Sequence, residues 1–237
     1  MREENIRRLS SHEISLNNIH YLVYKSYHSD LFYSLRKYAK LRLLDIGCGN
    51  KPYQDIITSQ IDEYIGCDIV QSSENKVDII CEATDIPIPD KSFDTVISTQ
   101  VIEHIADHQL MINESYRILK PGGYLIISGP MYWPLHEEPY DFFRFTRYGF
   151  RHILIKAGFS IEEELANGGK WALCGQVFLH ALYPELDHHK SIRWRVFRKI
   201  FYFLGGIRFV NKIFAELDEK HLDKTNTMNY VFVAKKI

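Results

Sequence analysis

Apolar residues along the chain follow two periods. Short, nearly continuous runs at Leu41–Ile46, Glu63–Ile69, Val77–Cys81, Ser92–Thr99, Tyr124–Ser128, Gly158–Leu165 and Tyr230–Ala234 read as buried strands. Between them the spacing becomes helical. Asn5 to Lys40 carries Ile19, Leu22, Val23, Leu31, Phe32 and Leu35, with polar breaks near Ser10 and His28, and predicts two or three helices before the first strand. A modest helix is expected over Tyr53–Ser59 after Pro52, and a longer one from Ile102 to Leu119, stopped by Pro121-Gly122-Gly123. Strands alternating with helices require parallel crossovers. The expected architecture is therefore α/β, a doubly wound and mostly parallel seven-stranded sheet with N-terminal helices. The connection Ala166–Asn229 is far longer than a hairpin needs. Within it Val196, Ile200, Leu204, Ile207 and Val210 recur at helical spacing, and Gly205-Gly206 divides the pattern into two helices. The expected organisation is a helical cap over 1–40, a sheet domain over 41–165 and 228–237, and a helical insertion over 166–227.

Composition changes this picture little. A chain of 237 residues, 46% hydrophobic, can bury the core of one such domain. A net charge of −1 gives no bulk reason to expect a nucleic-acid partner. Neither a secretory signal nor an uninterrupted apolar run of about 18 residues is legible, and Cys48, Cys67, Cys81 and Cys174 lack CxxC spacing, so a cytoplasmic location is expected. The insertion is the exception to the even charge. Arg193, Arg195, Arg198, Lys199, Arg208 and Lys212 are interleaved with aromatic residues, so 191–214 can pack on its own domain, form a homodimer seam, or make peripheral contact with the inner membrane. His188 and His189 are adjacent and cannot share one helix face, and no metal site is expected.

In a doubly wound sheet, ligands bind beyond the carboxyl ends of the strands. The first strand ends in Asp45-Ile46-Gly47-Cys48-Gly49. The glycines permit close backbone approach, and Asp45 can accept hydrogen bonds from an ammonium or orient the loop. Asp68, at the end of the second strand, stands where an acid takes both hydroxyls of a ribose. The glycine spacing is not GxGxxG, and no GxxxxGK[ST] is present. A ligand with ribose but no pyrophosphate fits best.

With LLDIGCG, the acid at Asp68, the loop EATDIPIPDKSFD, the run ISTQVIEHI and RILKPGGYLIIS in this order, the sequence from Leu41 to Ser128 resembles the class I S-adenosylmethionine-dependent methyltransferases of the type-11 group. The resemblance implies a Rossmann-like methyltransferase fold with S-adenosylmethionine as cofactor. It further implies that Asp45, Gly47 and Gly49 hold the methionine part and that Asp68 holds the ribose. Glu82 and Ala83 then flank the adenine, with Asp85 a rival for the side-chain contact, and Thr99 and Gln100 lie along the cofactor.

A second stretch, GPMYWPLHEEPYDFFRFTRY from Gly129 to Tyr148, follows the fifth strand and so belongs to the same edge. Its density of polar and aromatic groups suits function. His136 is the first candidate for general base, with Asp141 or Glu137 second. Arg144 either binds a substrate anion or orients Asp141 through a bidentate pair. Tyr140, Trp133 and, from the fourth strand's continuation, His104 are candidate substrate contacts. Glu103 is read as suiting the start of a helix. HEEPYDFFRFT resembles a segment of type-11 methyltransferases associated with bacterial surface-polysaccharide synthesis, which implies O-methylation of a glycan or glycolipid intermediate. Methylation of a small lipophilic molecule such as a quinone precursor, and a non-catalytic cofactor-binding regulator, are the alternatives.

Overall fold

The computed structural model describes residues 14–182 and 191–237. His188 and His189, and whatever helix precedes residue 14, lie outside them. The described residues divide by their contacts into two units, 30–165 with 230–237, and 14–29 with 166–182 and 191–229. The boundary falls inside the first described helix, α1 (Tyr21–Tyr38).

In the first unit the apolar runs form β1 (Leu41–Ile46), β2 (Ile61–Asp68), β3 (Ile79–Ile80), β4 (Phe93–Thr99) and β5 (Leu119–Pro130). With β6 (Phe159–Asn167) and β7 (Asn229–Lys236) they make a seven-stranded sheet of order β3-β2-β1-β4-β5-β7-β6. From β3 to β5 every neighbouring pair is parallel, so the carboxyl ends of β1, β2, β4 and β5 share one edge. The doubly wound α/β architecture is the expected one. β1 and β4 are central, and Leu43, Leu44, Val96 and Ile97 are fully buried, as strands covered on both faces must be. Helices α2 (Gln54–Ile57), α3 (His108–Ile118) and α4 (Arg147–Lys156) form the crossovers. Phe150 of α4 stacks on Phe232 of β7 with ring centroids 4.9 Å apart, anchoring that helix to the sheet.

Two expectations are corrected here. The helix expected over Ile102–Leu119 is broken: Ile102–His104 is a 3-10 turn, Ile105 is extended at φ −105° and ψ 110°, and α3 starts only at His108. Ile102 and Glu103 of this turn are both buried, at 0% and 1% exposure. Pro121-Gly122-Gly123 also does more than end a helix. It lies within β5, where the register against β4 shifts, and Gly122 takes φ +78°.

The second unit holds α5 (Lys170–Leu182), α6 (Ile192–Phe203) and α7 (Gly206–Lys220), and Gly205 at φ +74° turns the chain from α6 into α7. The N-terminus of α5 is capped from α7. Asp218 accepts from the Gly169 amide at 2.8 Å and from those of Trp171 and Ala172 at 3.1 Å. No residue of α6 is buried.

Candidate active site

β1 lies between β2 and β4, pairing Asp45 with Gly66 on one side and Ile97 on the other, so the carboxylate is only 1% exposed. Burial pushes its pKa up to about 7, against the pull of the Tyr64 hydroxyl, which donates to Oδ2 at 2.6 Å. The chain then turns sharply. Gly47 has φ +75°, and the amides of Gly47 and Cys48 both donate to the Cys67 carbonyl, at 2.8 and 3.1 Å. A Cβ on Gly47 would stand 2.3 Å from Cγ2 of Val101. Gly49, at φ +48°, donates its amide to Asp68 Oδ2 at 3.2 Å, and the Ile69 amide donates to Oδ1 at 2.7 Å. The Asp68 carboxylate is thus fixed at the mouth of the glycine loop. Asn50 and Lys51 brace the loop from outside, Asn50 on Ser73 and Glu74 and Lys51 on Asp78 and the Tyr64 carbonyl.

At the end of β4, Thr99 Oγ1 and the Tyr53 hydroxyl are 3.0 Å apart. Gln100, at φ +55°, is tied to β5 through the Ser128 carbonyl and hydroxyl, both at 3.2 Å. Beyond β3, Ala83 is half-buried between exposed Glu82 and Asp85, and the Asp85 amide donates to the Glu82 carbonyl at 3.2 Å. The fold therefore brings Asp45, Gly47, Gly49, Asp68, Thr99 and Gln100 to the carboxyl ends of β1, β2 and β4. Glu82, Ala83 and Asp85 lie in the loop that leaves β3 on the same edge.

The segments following β4 and β5 are stitched together. The Glu103 carbonyl accepts from the amides of Phe142 at 2.9 Å and Phe143 at 3.2 Å, and His104 Nδ1 meets the Tyr140 carbonyl at 2.8 Å. The His104 and His136 rings meet edge to face, centroids 4.7 Å apart. His136 Nδ1 faces the Pro134 carbonyl at 3.2 Å and Asp141 Oδ2 at 3.3 Å, and its backbone amide donates to that same oxygen at 3.1 Å. Arg144 makes a bidentate pair with Asp141, at 2.6 and 2.7 Å, and spends its remaining donors on the carbonyls of Trp133, Pro134 and Phe143. Of the two roles open to Arg144, this geometry is that of orienting Asp141. Burial raises the Asp141 carboxyl, but the Arg144 bonds outweigh it and hold the group at about 2. Burial and the neighbouring His104 push His136 below its ordinary value, so its imidazole is neutral near pH 7. Glu137 sits at φ +55° in a turn whose carbonyl accepts from the Tyr140 amide at 2.9 Å; the Tyr140 side chain is 64% exposed.

Glu103 is the member that the sequence reading places only at a helix start. It is 1% exposed, burial pushes its pKa up to about 8, and its Oε2 has no hydrogen-bond partner. An acid between apolar Ile102 and His104 directly after a strand was the one available signal.

Residues 44–127 match the family model described as a methyltransferase domain. A probable S-adenosylmethionine-dependent methyltransferase of Mycolicibacterium smegmatis is 31% identical over 137 residues, 52% of this chain and 53% of that relative. The probable tRNA methyltransferase 9B of Homo sapiens is 35% identical over 62% of this chain and 31% of its own length. The ubiquinone biosynthesis O-methyltransferase of Ruegeria pomeroyi is 30% identical over 39% and 42% respectively. The chain spans about half the length, or less, of the curated relatives it matches. Among solved structures, an S-adenosylmethionine-dependent methyltransferase from Mesorhizobium loti superposes with a TM-score of 0.55 at 16% identity, covering 89% of this chain and 98% of its own, which shows a shared fold. Residues 44–127 thus match a methyltransferase domain, and the chain is similar to S-adenosylmethionine-dependent methyltransferases.

Proposed function

We propose that the protein transfers the methyl group of S-adenosylmethionine to a hydroxyl of a glycan or glycolipid intermediate at the inner face of a membrane. The observation that carries the hydroxyl reading is His136: a neutral imidazole, oriented through Nδ1 by Asp141 and the Pro134 carbonyl, on the segment that leaves β5 at the cofactor edge. The sulfonium already activates the methyl, so the protein's work is mostly positioning. As the methyl–oxygen bond forms and the sulfur–methyl bond breaks, the hydroxyl proton passes to His136 Nε2 and S-adenosylhomocysteine leaves. Asp141, its charge balanced by Arg144, keeps the proton-bearing nitrogen of His136 on the far side of the ring. Transfer of labelled methyl to a glycan and lipid-linked glycan extract tests the reading, and absence of transfer to either fraction overturns it. The similarity to a ubiquinone biosynthesis O-methyltransferase supports a second reading, a phenolic quinone precursor as acceptor; labelling of that compound alone would favour it.

Asp45 makes cofactor binding depend on pH. Its folded-state value of about 7 lies above the ordinary 3.8. Protonation therefore favours the folded, unliganded protein, a contribution fully present below about pH 4 and lost as pH rises through about 7. An amino-acid ammonium needs the ionised carboxylate. Affinity for S-adenosylhomocysteine by calorimetry is expected to rise between pH 6 and 8, by at most about tenfold per unit below the pKa, and Asp45→Asn is expected to flatten the curve. A flat profile in the wild-type protein would remove Asp45 from the cofactor contacts.

The membrane part of the reading rests on α6. Ile192, Val196, Ile200, Phe203 and the following Leu204 are all exposed, and Arg193, Arg195, Arg198 and Lys199 lie on the same helix. That pairing of exposed apolar and basic groups suits a lipid interface. Among the described residues no helix is long and apolar enough to cross a membrane. Flotation with vesicles rich in anionic lipid is expected to carry the protein, and Arg193→Gln with Arg195→Gln and Lys199→Gln is expected to abolish it. Equal flotation of the triple variant would exclude this surface.

A further inference from the structure

We propose that Glu103, His104 and His136 bind one divalent transition-metal ion of the Zn2+ class, and that its open coordination positions receive the acceptor hydroxyl. One donor atom from each of the three residues lies within 4.8 Å of the others, close enough for rotamer adjustment to bring them onto a single ion. The hydrogen-bond pattern behind the rings makes both histidines ligands in waiting. A carbonyl only accepts, so His104 Nδ1, at 2.8 Å from the Tyr140 carbonyl, carries the proton and Nε2 keeps its lone pair. His136 Nδ1 likewise faces the Pro134 carbonyl at 3.2 Å and Asp141 Oδ2 at 3.3 Å. Ligating histidines are held in this way, with the far nitrogen donated to a carbonyl or carboxylate.

The third member is a buried acid. Glu103 is 1% exposed, its Oε2 has no hydrogen-bond partner, and Oε1 is 3.9 Å from His104 Nε2. An ionised carboxylate at this depth is costly without a cation beside it. Arg144, the nearby cation, is already matched by Asp141 in a bidentate pair, so a bound metal cation would be the partner that favours the ionised form of Glu103. Simple ring packing would account for the edge-to-face histidines but not for the buried acid beside them. Two imidazole nitrogens and one carboxylate oxygen form a donor set for Zn2+ and its neighbours with positions left open, and a poor one for Mg2+. The sequence suggests no metal site because the donors come from two segments that meet only in the fold, where the Phe142 and Phe143 amides donate to the Glu103 carbonyl.

The ion's role, though not its binding, rests on the hydroxyl-acceptor reading. With the ion bound, the His136 Nε2 pair is on the metal, and the coordinated hydroxyl releases its proton to solvent before the methyl–oxygen bond forms. Without the ion, His136 takes that proton itself.

The test is calorimetric titration of chelator-treated protein with ZnCl2, with MnCl2 and MgCl2 for comparison, alongside S-adenosylhomocysteine. The expected result is about one tightly bound Zn2+, a raised Tm, and affinity weakened about tenfold or more in Glu103→Gln and in His136→Asn. The exposed control His152→Asn should leave binding unchanged. S-adenosylhomocysteine binding shows which variants are folded. Wild-type protein that binds S-adenosylhomocysteine but not Zn2+ overturns the metal site and leaves the methyltransferase reading intact. Zn2+ binding that survives Glu103→Gln and His136→Asn together overturns it as well, because the ion then sits elsewhere. Failure to bind S-adenosylhomocysteine counts against the methyltransferase reading itself.

Discussion

His136→Ala is expected to lower kcat for methyl transfer by about 10²- to 10⁴-fold while leaving S-adenosylhomocysteine affinity nearly unchanged. The split follows from position. His136 belongs to the segment after β5 and makes its bonds to Pro134 and Asp141, whereas the glycine loop and Asp68 hold each other through Gly49. Asp141→Asn should cost less in rate, because the Pro134 carbonyl still faces Nδ1, but it removes the negative charge behind the ring and breaks the bidentate pair with Arg144. Because burial keeps His136 below its ordinary pKa, the wild-type rate should lose its acidic limb only below about pH 6.5, the ordinary value. An alanine variant with full kcat would exclude His136 from proton transfer.

Gly47→Ala is expected to abolish cofactor binding and to lower Tm. Two effects add. A φ of +75° costs an alanine about 1–2 kcal/mol. Its Cβ would stand 2.3 Å from Val101 Cγ2, and relieving that overlap in a packed region costs about 1–3 kcal/mol more. Relief must come from moving Val101 or the loop, and both border the cofactor edge. Gly122→Ala is the control: its φ of +78° carries the same backbone cost, but nothing lies within 4 Å of the added Cβ. Thermal melts and calorimetry of the two variants separate strain from overlap. Equal effects would mean that Val101 does not matter.

The sheet was legible because its central strands are buried on both faces and announce themselves as unbroken apolar runs. β3 shows the limit of that signal. The run Val77–Cys81 suggests five residues, yet only Ile79 and Ile80 pair, because an edge strand has a single neighbour to hold it. The gathering of Gly47, Gly49, Asp45 and Asp68 at the carboxyl edge was legible for the related reason that glycines and acids directly after strands have few other uses. Glu103 was not, since its burial depends on Phe142 and Phe143 folding back onto its carbonyl from another loop. Nor was the cap on α5, where Asp218 serves amides nearly fifty positions earlier in the chain. For Arg144 the sequence left two roles open; its partner Asp141 sits one helical turn away in spacing, but in a loop, where spacing alone does not fix direction.

The position of β7 has a consequence for how the chain reaches this state. It is hydrogen-bonded between β5 and β6 yet follows all the other strands, separated from β6 by the whole helical insertion. Tyr230–Ala234 are buried, and Lys236 donates to the carbonyls of Tyr116 and Leu119 at 2.6 and 2.7 Å. During synthesis the nascent sheet must wait with the β5 and β6 edges open until this strand emerges. Open edges are templates for pairing with other chains, and such long-range closure is slow. The helices of the insertion, whose backbone hydrogen bonds are local, can form in that interval, before the last strand closes the sheet.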